Sequence, residues 1–237
     1  MTHTLNVENL NAFYGRAQIL FDVSLRVAPG EVVALMGRNG AGKTTTMKAI
    51  MGLLDKCDGR IYYAAQSLIN QDAYKISRLG IGYVPEDRRI FTDLTVLENL
   101  EVGRRTLPKG VVPTFTVQQL FTLFPNLAAM PERLGGRMSG GEQQMLTVAR
   151  TLMGNPSLVL LDEPSEGVAP IIVENMIEAV MALKKAGIGV LLSEQNVPFA
   201  AEVADRAYVL EKGQVKFDGP FTELMANESL RRQYLTI

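Results

Sequence analysis

The 237-residue chain has no tryptophan, one cysteine and one histidine, and its formal charge is only -1. Each scarcity closes off a class of function. The single thiol, Cys57, leaves no intrachain disulfide, and with His3 as the sole imidazole no Cys/His zinc cluster can be built. Cys57 reads as an incidental thiol of a reducing compartment. A net charge near zero gives nucleic acid no bulk electrostatic hold. Arg88-Arg89 and Arg104-Arg105 are local basic pairs, and each reads as a solvated face. No apolar run approaches the roughly 18–20 residues that span a bilayer. Met1-Thr2-His3-Thr4-Leu5 lacks the basic and apolar regions of a secretory signal. A cytosolic chain is expected, reaching a membrane only through a partner.

What is present is an ordinary globular composition, 47% hydrophobic and 21% charged, enough for one large α/β domain with a substantial core. No internal repeat, low-complexity tract or linker interrupts it. Leu5–Tyr14 and Ile19–Val27 are strand-like, and Pro29-Gly30 marks a turn. Val32–Met36 is apolar throughout, as in a strand covered on both faces. Lys43–Leu54 follows with helical spacing, Met47, Ile50, Met51 and Leu54 sharing a face. Gly59–Ala65 and Ile81–Pro85 read as strands. From Leu94 to Met153 the pattern is mostly helical, broken at Pro108, Pro113, Pro125, Pro131 and Gly135-Gly136. Leu158–Leu161 and Ile188–Leu192 are two more apolar strands, with a helix over Met176–Lys185 between them. Ala207–Leu210 and Gln214–Phe217 flank a hairpin turn. Apolar strands alternating with helices predict a mostly parallel sheet covered on both faces.

Between the strand Val32–Met36 and the following helix lies Gly37-Arg38-Asn39-Gly40-Ala41-Gly42-Lys43-Thr44, a Gly-x-x-x-x-Gly-Lys-Thr loop. Glycines let backbone N–H groups converge on phosphates without Cβ clashes, and the helix start adds partial positive charge. Lys43 is expected to bridge the β- and γ-phosphates of a nucleotide, and Thr44 Oγ to ligate Mg²⁺. Asp162 and Glu163 directly follow the strand Leu158–Leu161. Ligands of open parallel sheets sit beyond the carboxyl ends of strands, so both acids fall on the same edge as the loop. Asp162 is expected to hold Mg²⁺ through a water, and Glu163 to orient and deprotonate the attacking water. Together these features predict binding and hydrolysis of a nucleoside triphosphate, which describes a very large group of NTPases; the next motif narrows it to ATP.

A third motif, Met138-Ser139-Gly140-Gly141-Glu142-Gln143-Gln144, begins its serine 23 positions before Asp162. On its own it could be a helix N-cap with a capping acid. With the other two motifs it resembles the Leu-Ser-Gly-Gly-Gln signature of ABC ATPases, and the resemblance covers essentially the whole chain. It implies a P-loop NTPase of the α/β class with a mostly parallel core sheet, an antiparallel β subdomain and a helical signature subdomain. One ABC ATPase domain would span 1–237, with 1–85 and 156–237 forming the core and β subdomain and 86–155 the helical subdomain. It further implies that Gly37 to Thr45 line the nucleotide and that Tyr14 stacks on adenine. For Tyr14 the plainer alternative is packing on the sheet. Ser139, Gly140, Gly141 and Glu142 would contact ATP held by a second ATPase subunit, head to tail.

Several positions depart from the family pattern. Glu86 stands where Gln is usual, near the metal, and a carboxylate can ligate Mg²⁺ but cannot donate a hydrogen bond when ionised. Counting back nine residues from Ala204 puts Gln195 where a γ-phosphate histidine is usual. Gln195 can donate a hydrogen bond but never become cationic, so no imidazole step near pH ~6.5 is expected in the rate profile. Ala169 replaces the usual Asp of the loop that begins Pro164-Ser165-Glu166. Val-Pro-Glu-Asp-Arg-Arg at 84–89, Glu-Gln-Asn at 194–196 and Ala226–Leu235 are similar to the LivF-type ATPase subunits of high-affinity branched-chain amino-acid importers. That likeness implies a cytoplasmic subunit peripheral on the inner face of the membrane. Its partners would be two permease subunits docked around Glu86–Leu100, a second ATPase subunit and a periplasmic solute-binding protein. A urea importer subunit is the near alternative. A soluble non-transport ABC ATPase is the alternative of a different class; its coiled-coil or tandem forms do not fit 237 residues.

Overall fold

The computed structural model describes residues 3–107 and 110–235. Two strands open the chain, β1 (Leu5–Tyr14) and β2 (Ala17–Val27), followed by β3 (Val32–Met36) and α1 (Lys43–Ile50). Then come β4 (Lys56–Tyr63), β5 (Gln66–Ser67), α2 (Ala73–Arg78) and β6 (Ile81–Val84). The helical stretch holds α3 (Val96–Gly103), α4 (Val117–Leu123), α5 (Pro125–Ala128), a 3₁₀ turn at Gly135–Arg137, and α6 (Gly140–Leu152). The chain continues through β7 (Leu158–Asp162), α7 (Pro170–Lys185), β8 (Gly189–Glu194) and α8 (Val197–Val203). It closes with β9 (Arg206–Glu211), β10 (Gln214–Pro220), α9 (Phe221–Ala226) and α10 (Glu228–Tyr234).

The core sheet has the order β10-β9-β3-β8-β7-β6, with β10 antiparallel to β9 and every other pairing parallel. A second sheet, β2-β1-β4-β5, is antiparallel. Period-two alternation explains why the parallel strands are apolar throughout. Val159 and Leu161 face one hydrophobic cluster, with α6 and α7. Leu158 and Leu160 face the other, with α1 and the antiparallel sheet. Each fully buried side chain of this kind contributes about 1.5–3 kcal/mol.

Some boundaries differ from the sequence reading. The first helix stops at Ile50 rather than Leu54 because Gly52 takes φ +64 and ends it. Leu53 N–H donates to Lys48 O (2.9 Å) and Gly52 N–H to Ala49 O (3.1 Å), a Schellman closure that a side chain at Gly52 would strain. The seventh helix begins at Pro170, six residues ahead of the apolar periodicity, because proline is preformed for a first helical position. Helices α2, α8, α9 and α10 are too short to show a period. Of the helix breakers, Pro108 lies outside the described residues.

The register of the parallel strands positions the chemistry. Met36 is paired with Glu194, and Asp162 with Ser193. The exits of β3, β8 and β7 therefore lie side by side, and each leads into a loop with a candidate residue. The signature segment is held elsewhere, at the start of α6. There Ser139 is an N-cap: its Oγ accepts from Glu142 N–H (3.3 Å) while Glu142 Oε2 accepts from Ser139 N–H (2.7 Å).

Candidate active site

The glycine loop leaves β3 and turns into α1. Gly42 has φ 111, and a Cβ on it would lie 2.6 Å from Leu20 Cδ2, so glycine is required where the loop approaches β2. Among the described residues, the N–H groups of Gly40, Gly42, Lys43 and Thr44 have no protein acceptor. They converge at a helix start, the arrangement that receives an anion. A cleft of about 380 Å³ opens there. Tyr14, Asn39, Gly40, Gly42, Lys43, Thr44, Thr45, Glu86 and Glu163 line it. Tyr14 is 47% exposed at the edge of this cleft, an aromatic side chain available to a planar ligand. Gly37, Arg38 and Ala41 complete the loop at its back; Ala41 N–H donates to Arg38 O (3.1 Å).

Lys43 is 3% exposed and has three partners. Its Nζ donates to Gly37 O (2.8 Å) and Arg38 O (3.2 Å) and lies 3.0 Å from Glu163 Oε1. The other oxygen of Glu163 accepts from Gln195 Nε2 (3.0 Å), which also donates to Asn39 Oδ1 (2.7 Å). Gln195 thus joins the loop after β8 to both the phosphate loop and Glu163. Glu163 sits at φ 47, a left-handed conformation costing a non-glycine residue about 1–3 kcal/mol, with its N–H bonded to Ser193 O (3.0 Å). Burial works against its charge. Hydrogen bonds from Glu166 and Lys43, the Lys43 charge and the Gln195 amide outweigh that and hold its pKa below the usual range. Glu166 shows the converse: its hydrogen bond to Glu163, then burial and the charges of Glu163, Glu86 and Glu194, push it up to about 7. The fold thus favours the charge on Glu163 and the proton on Glu166.

Asp162 is fully buried at the end of β7. Oδ1 accepts from Thr44 Oγ1 and Ser193 Oγ, and Oδ2 from Tyr83 OH, each at 3.0 Å. Burial raises its pKa and these three donors oppose the rise. A depression of about 190 Å³ brings Thr44, Glu86 and Asp162 together beside Tyr83. A hydroxyl and two carboxylates are hard oxygen donors of the kind Mg²⁺ takes, so the residues present fit that ion.

Ser139, Gly140, Gly141 and Glu142 do not join this cleft. Ser139 is exposed, and the segment's neighbours are Arg88, Ile172 and Arg133. The structure also adds residues that sequence reasoning passed over: Tyr83, Ser193, Glu166 and Glu194. Glu194 is 2% exposed, and its carboxylate accepts from the N–H groups of Ser165, Gln195 and Asn196 at 3.0–3.1 Å. It ties the loop after Glu163 to the loop bearing Gln195. Ser193-Glu194 ends an apolar strand just as Asp162-Glu163 does, so the same strand-edge rule would have found the pair.

The chain is similar to known proteins over nearly its whole length. A family model described as ABC transporter matches residues 20–166, a span that takes in the loop, the signature and the acid pair but neither Tyr14 nor Gln195. The chain is 42% identical to the high-affinity branched-chain amino acid transport ATP-binding protein BraG of Pseudomonas aeruginosa, covering 98% of this chain and 99% of that one. It is 35% identical to the lipopolysaccharide export system ATP-binding protein LptB of Haemophilus influenzae, covering 98% and 96%. Among solved structures, an ATP-binding cassette of an ABC transporter in its ADP conformation superimposes with a TM-score of 0.79 at 28% identity, covering 98% of both chains.

Proposed function

Because the chain belongs to the ABC transporter family of ATP-binding subunits, we propose that it hydrolyses ATP to drive import of branched-chain amino acids. The observation that carries this reading is the single cleft that gathers Tyr14, the loop around Lys43 and the base Glu163 while the signature helix stays apart from it. One subunit supplies half of an ATP site. The other half, Ser139-Gly140-Gly141 with Glu142, comes from a second ATPase subunit, a copy of this chain or a homologue.

In this account Tyr14 stacks on adenine, and the free N–H groups of Gly40, Gly42, Lys43 and Thr44 cradle the phosphates. Lys43 leaves Glu163 and moves onto the β- and γ-phosphates. Thr44 Oγ and Asp162, with Glu86 beside them, would hold Mg²⁺, which supplies charge neutralisation at the phosphates. Asp162 is kept in place by Ser193 and Tyr83. Glu163, freed from Lys43, takes a proton from the attacking water. Gln195 donates to the γ-phosphate side and keeps Glu163 aimed, without adding positive charge. Glu166 then carries away the proton. Closure of the two subunits around ATP moves two permease subunits docked near Glu86–Leu100, and a periplasmic binding protein delivers the solute. Residues 1–85 and 156–237 act as the nucleotide-binding core and 86–155 as the arm that responds to the permease. The chain would then sit peripherally on the inner face of the cell membrane; among the described residues no helix is long and apolar enough to cross it.

Importers rather than exporters are favoured by the higher identity to the branched-chain amino-acid protein. Deleting the gene should abolish ATP-driven uptake of labelled leucine, isoleucine and valine, and restoring the wild-type chain but not Glu163→Gln should recover it. Normal uptake of these solutes in the deletion strain would remove the proposal, and a loss of urea uptake or of lipopolysaccharide export instead would reassign the solute.

A further inference from the structure

In sequence terms Arg88 reads as a solvated basic residue, but the structure packs it half-buried against the signature. A Cβ built on Gly140 would lie 2.7 Å from Arg88 Nη1. A helical Cβ projects toward the helix N-terminus, so the guanidinium occupies the N-terminal end of α6, beside its unbonded N–H groups. Its backbone is fixed in that place. Arg88 has φ 62, its N–H donates to Pro85 O (3.2 Å), and its carbonyl accepts from Thr147 Oγ1 (2.9 Å) and Arg150 Nη2 (3.3 Å). Strained backbone held by several bonds is a feature of functional positions. The side chain itself is uncommitted: among the described residues its guanidinium has no acceptor. Asp87 is paired with Arg89, and Glu142 with Ser139 N–H and Arg133.

The charges around it give that free cation a purpose. Glu142 places a carboxylate in the first turn of α6, where the proposed arrangement seats the partner's γ-phosphate. Arg133 answers it only at 3.7 Å. On the other wall Gln195 is neutral, so neither side of the γ-phosphate receives a cationic histidine. We propose that Arg88 is a phosphate-contacting residue that acts across the subunit interface, its guanidinium reaching the γ-phosphate of ATP bound in the partner's phosphate loop. This rests on the head-to-tail arrangement proposed above. The planar fork of a guanidinium suits two phosphate oxygens at once, and its charge offsets Glu142.

The test uses the full chain carrying Glu163→Gln, alone and with any ATPase subunit that co-purifies with it. ATP-driven association is followed by sedimentation velocity. Adding Arg88→Gln should weaken that association about ten- to a hundredfold, the loss of a charge-assisted contact, while ATP affinity of the dilute single subunit stays unchanged. Arg88→Lys should recover part of the association, which a purely structural role tied to the backbone carbonyl would not require. Equal association with and without Arg88→Gln overturns the inference and leaves the head-to-tail reading intact. A fall in single-subunit ATP affinity that matches the fall in association also overturns it, because the residue would then act in its own subunit. Absence of ATP-driven association in Glu163→Gln in both settings overturns the head-to-tail reading itself, and this inference with it.

Discussion

Replacing Glu163 by glutamine should do more than stop hydrolysis: it should make the nucleotide-free chain less stable and make it bind nucleotide more tightly. The Lys43 ammonium is 3.0 Å from the Glu163 carboxylate, and both side chains are buried, at 3% and 7% exposure. At an effective dielectric near 20 the gross attraction is about 5 kcal/mol, and breaking a buried pair by removing one charge typically costs about 3–5 kcal/mol. Glutamine keeps the shape and an acceptor oxygen, and Gly37 O and Arg38 O remain on the ammonium. The net loss should therefore be smaller, about 1–2 kcal/mol. Its sign follows from the protonation equilibrium, since the fold holds Glu163 below the usual carboxylate range and so favours its charge. That stabilisation is present above the unfolded carboxylate pKa and is lost as pH falls through the lower folded value. The stability gap between wild type and Glu163→Gln should therefore close in acid. The same pair must open when a phosphate takes Lys43, so its absence should tighten ADP binding by about five- to thirtyfold. ADP is the right probe because it reaches Lys43 but has no γ-phosphate to engage a partner subunit. Calorimetric titration with Mg-ADP near pH 7.5, beside thermal unfolding of the nucleotide-free chain, reads both effects. Unchanged ADP affinity with an unchanged melting temperature would refute the idea that Lys43 is latched by Glu163.

Three further outcomes are expected. Tyr14→Ala should weaken ATP binding about 5- to 150-fold, the worth of one base–aromatic stack, while Tyr14→Phe should leave it nearly unchanged; equal binding by all three would place Tyr14 in the sheet instead. The rate should rise with pH through about 7 as Glu166 loses its proton beside Glu163, and Glu166→Gln should remove that rise; a rise that survives in Glu166→Gln would clear Glu166 of the effect. Gln195→His should stay active and add an imidazole inflection near pH ~6.5, whereas Gln195→Ala should lower kcat about ten- to a hundredfold with little change in KM; a reversed pattern would put Gln195 in ground-state binding.

Much of the fold was legible because its strongest signals are local. Val32–Met36, Leu158–Asp162 and the β9–β10 hairpin fall where apolar runs and turn residues place them, since a strand covered on both faces must be apolar and a hairpin must turn. Short helices were not legible: the seven residues of α8 and of α10 cover only two turns, too few to show a period. The site shows the same division. Lys43, Thr44, Asp162 and Glu163 announce themselves through spacing. Tyr83 reaches Asp162 across 79 positions and Gln195 reaches Asn39 across 156, distances over which no local pattern speaks. The contact with Glu163 that raises Glu166 to about 7 also emerges only in three dimensions. It changes the expectation drawn from the missing histidine: an inflection near neutrality can now come from carboxyls, and Glu166→Gln separates it from an imidazole. Arg88 is the sharpest case, since nothing in Arg88-Arg89 as a sequence distinguishes a solvated pair from a guanidinium resting on Gly140.

The central claim is that each ATP site is built from the phosphate loop of one subunit and the signature of another. It is tested most directly by mixing Lys43→Ala and Ser139→Arg chains at a concentration where the wild-type chain turns over ATP. Each variant alone should be inert, because every site in it lacks one wall. Random pairing of equal amounts makes half of the pairs mixed, and each mixed pair has one site with both walls intact, so turnover should return to about a quarter of the wild-type rate. A mixture as inert as its components, from chains that remain folded and exchange partners, would contradict the shared-site account.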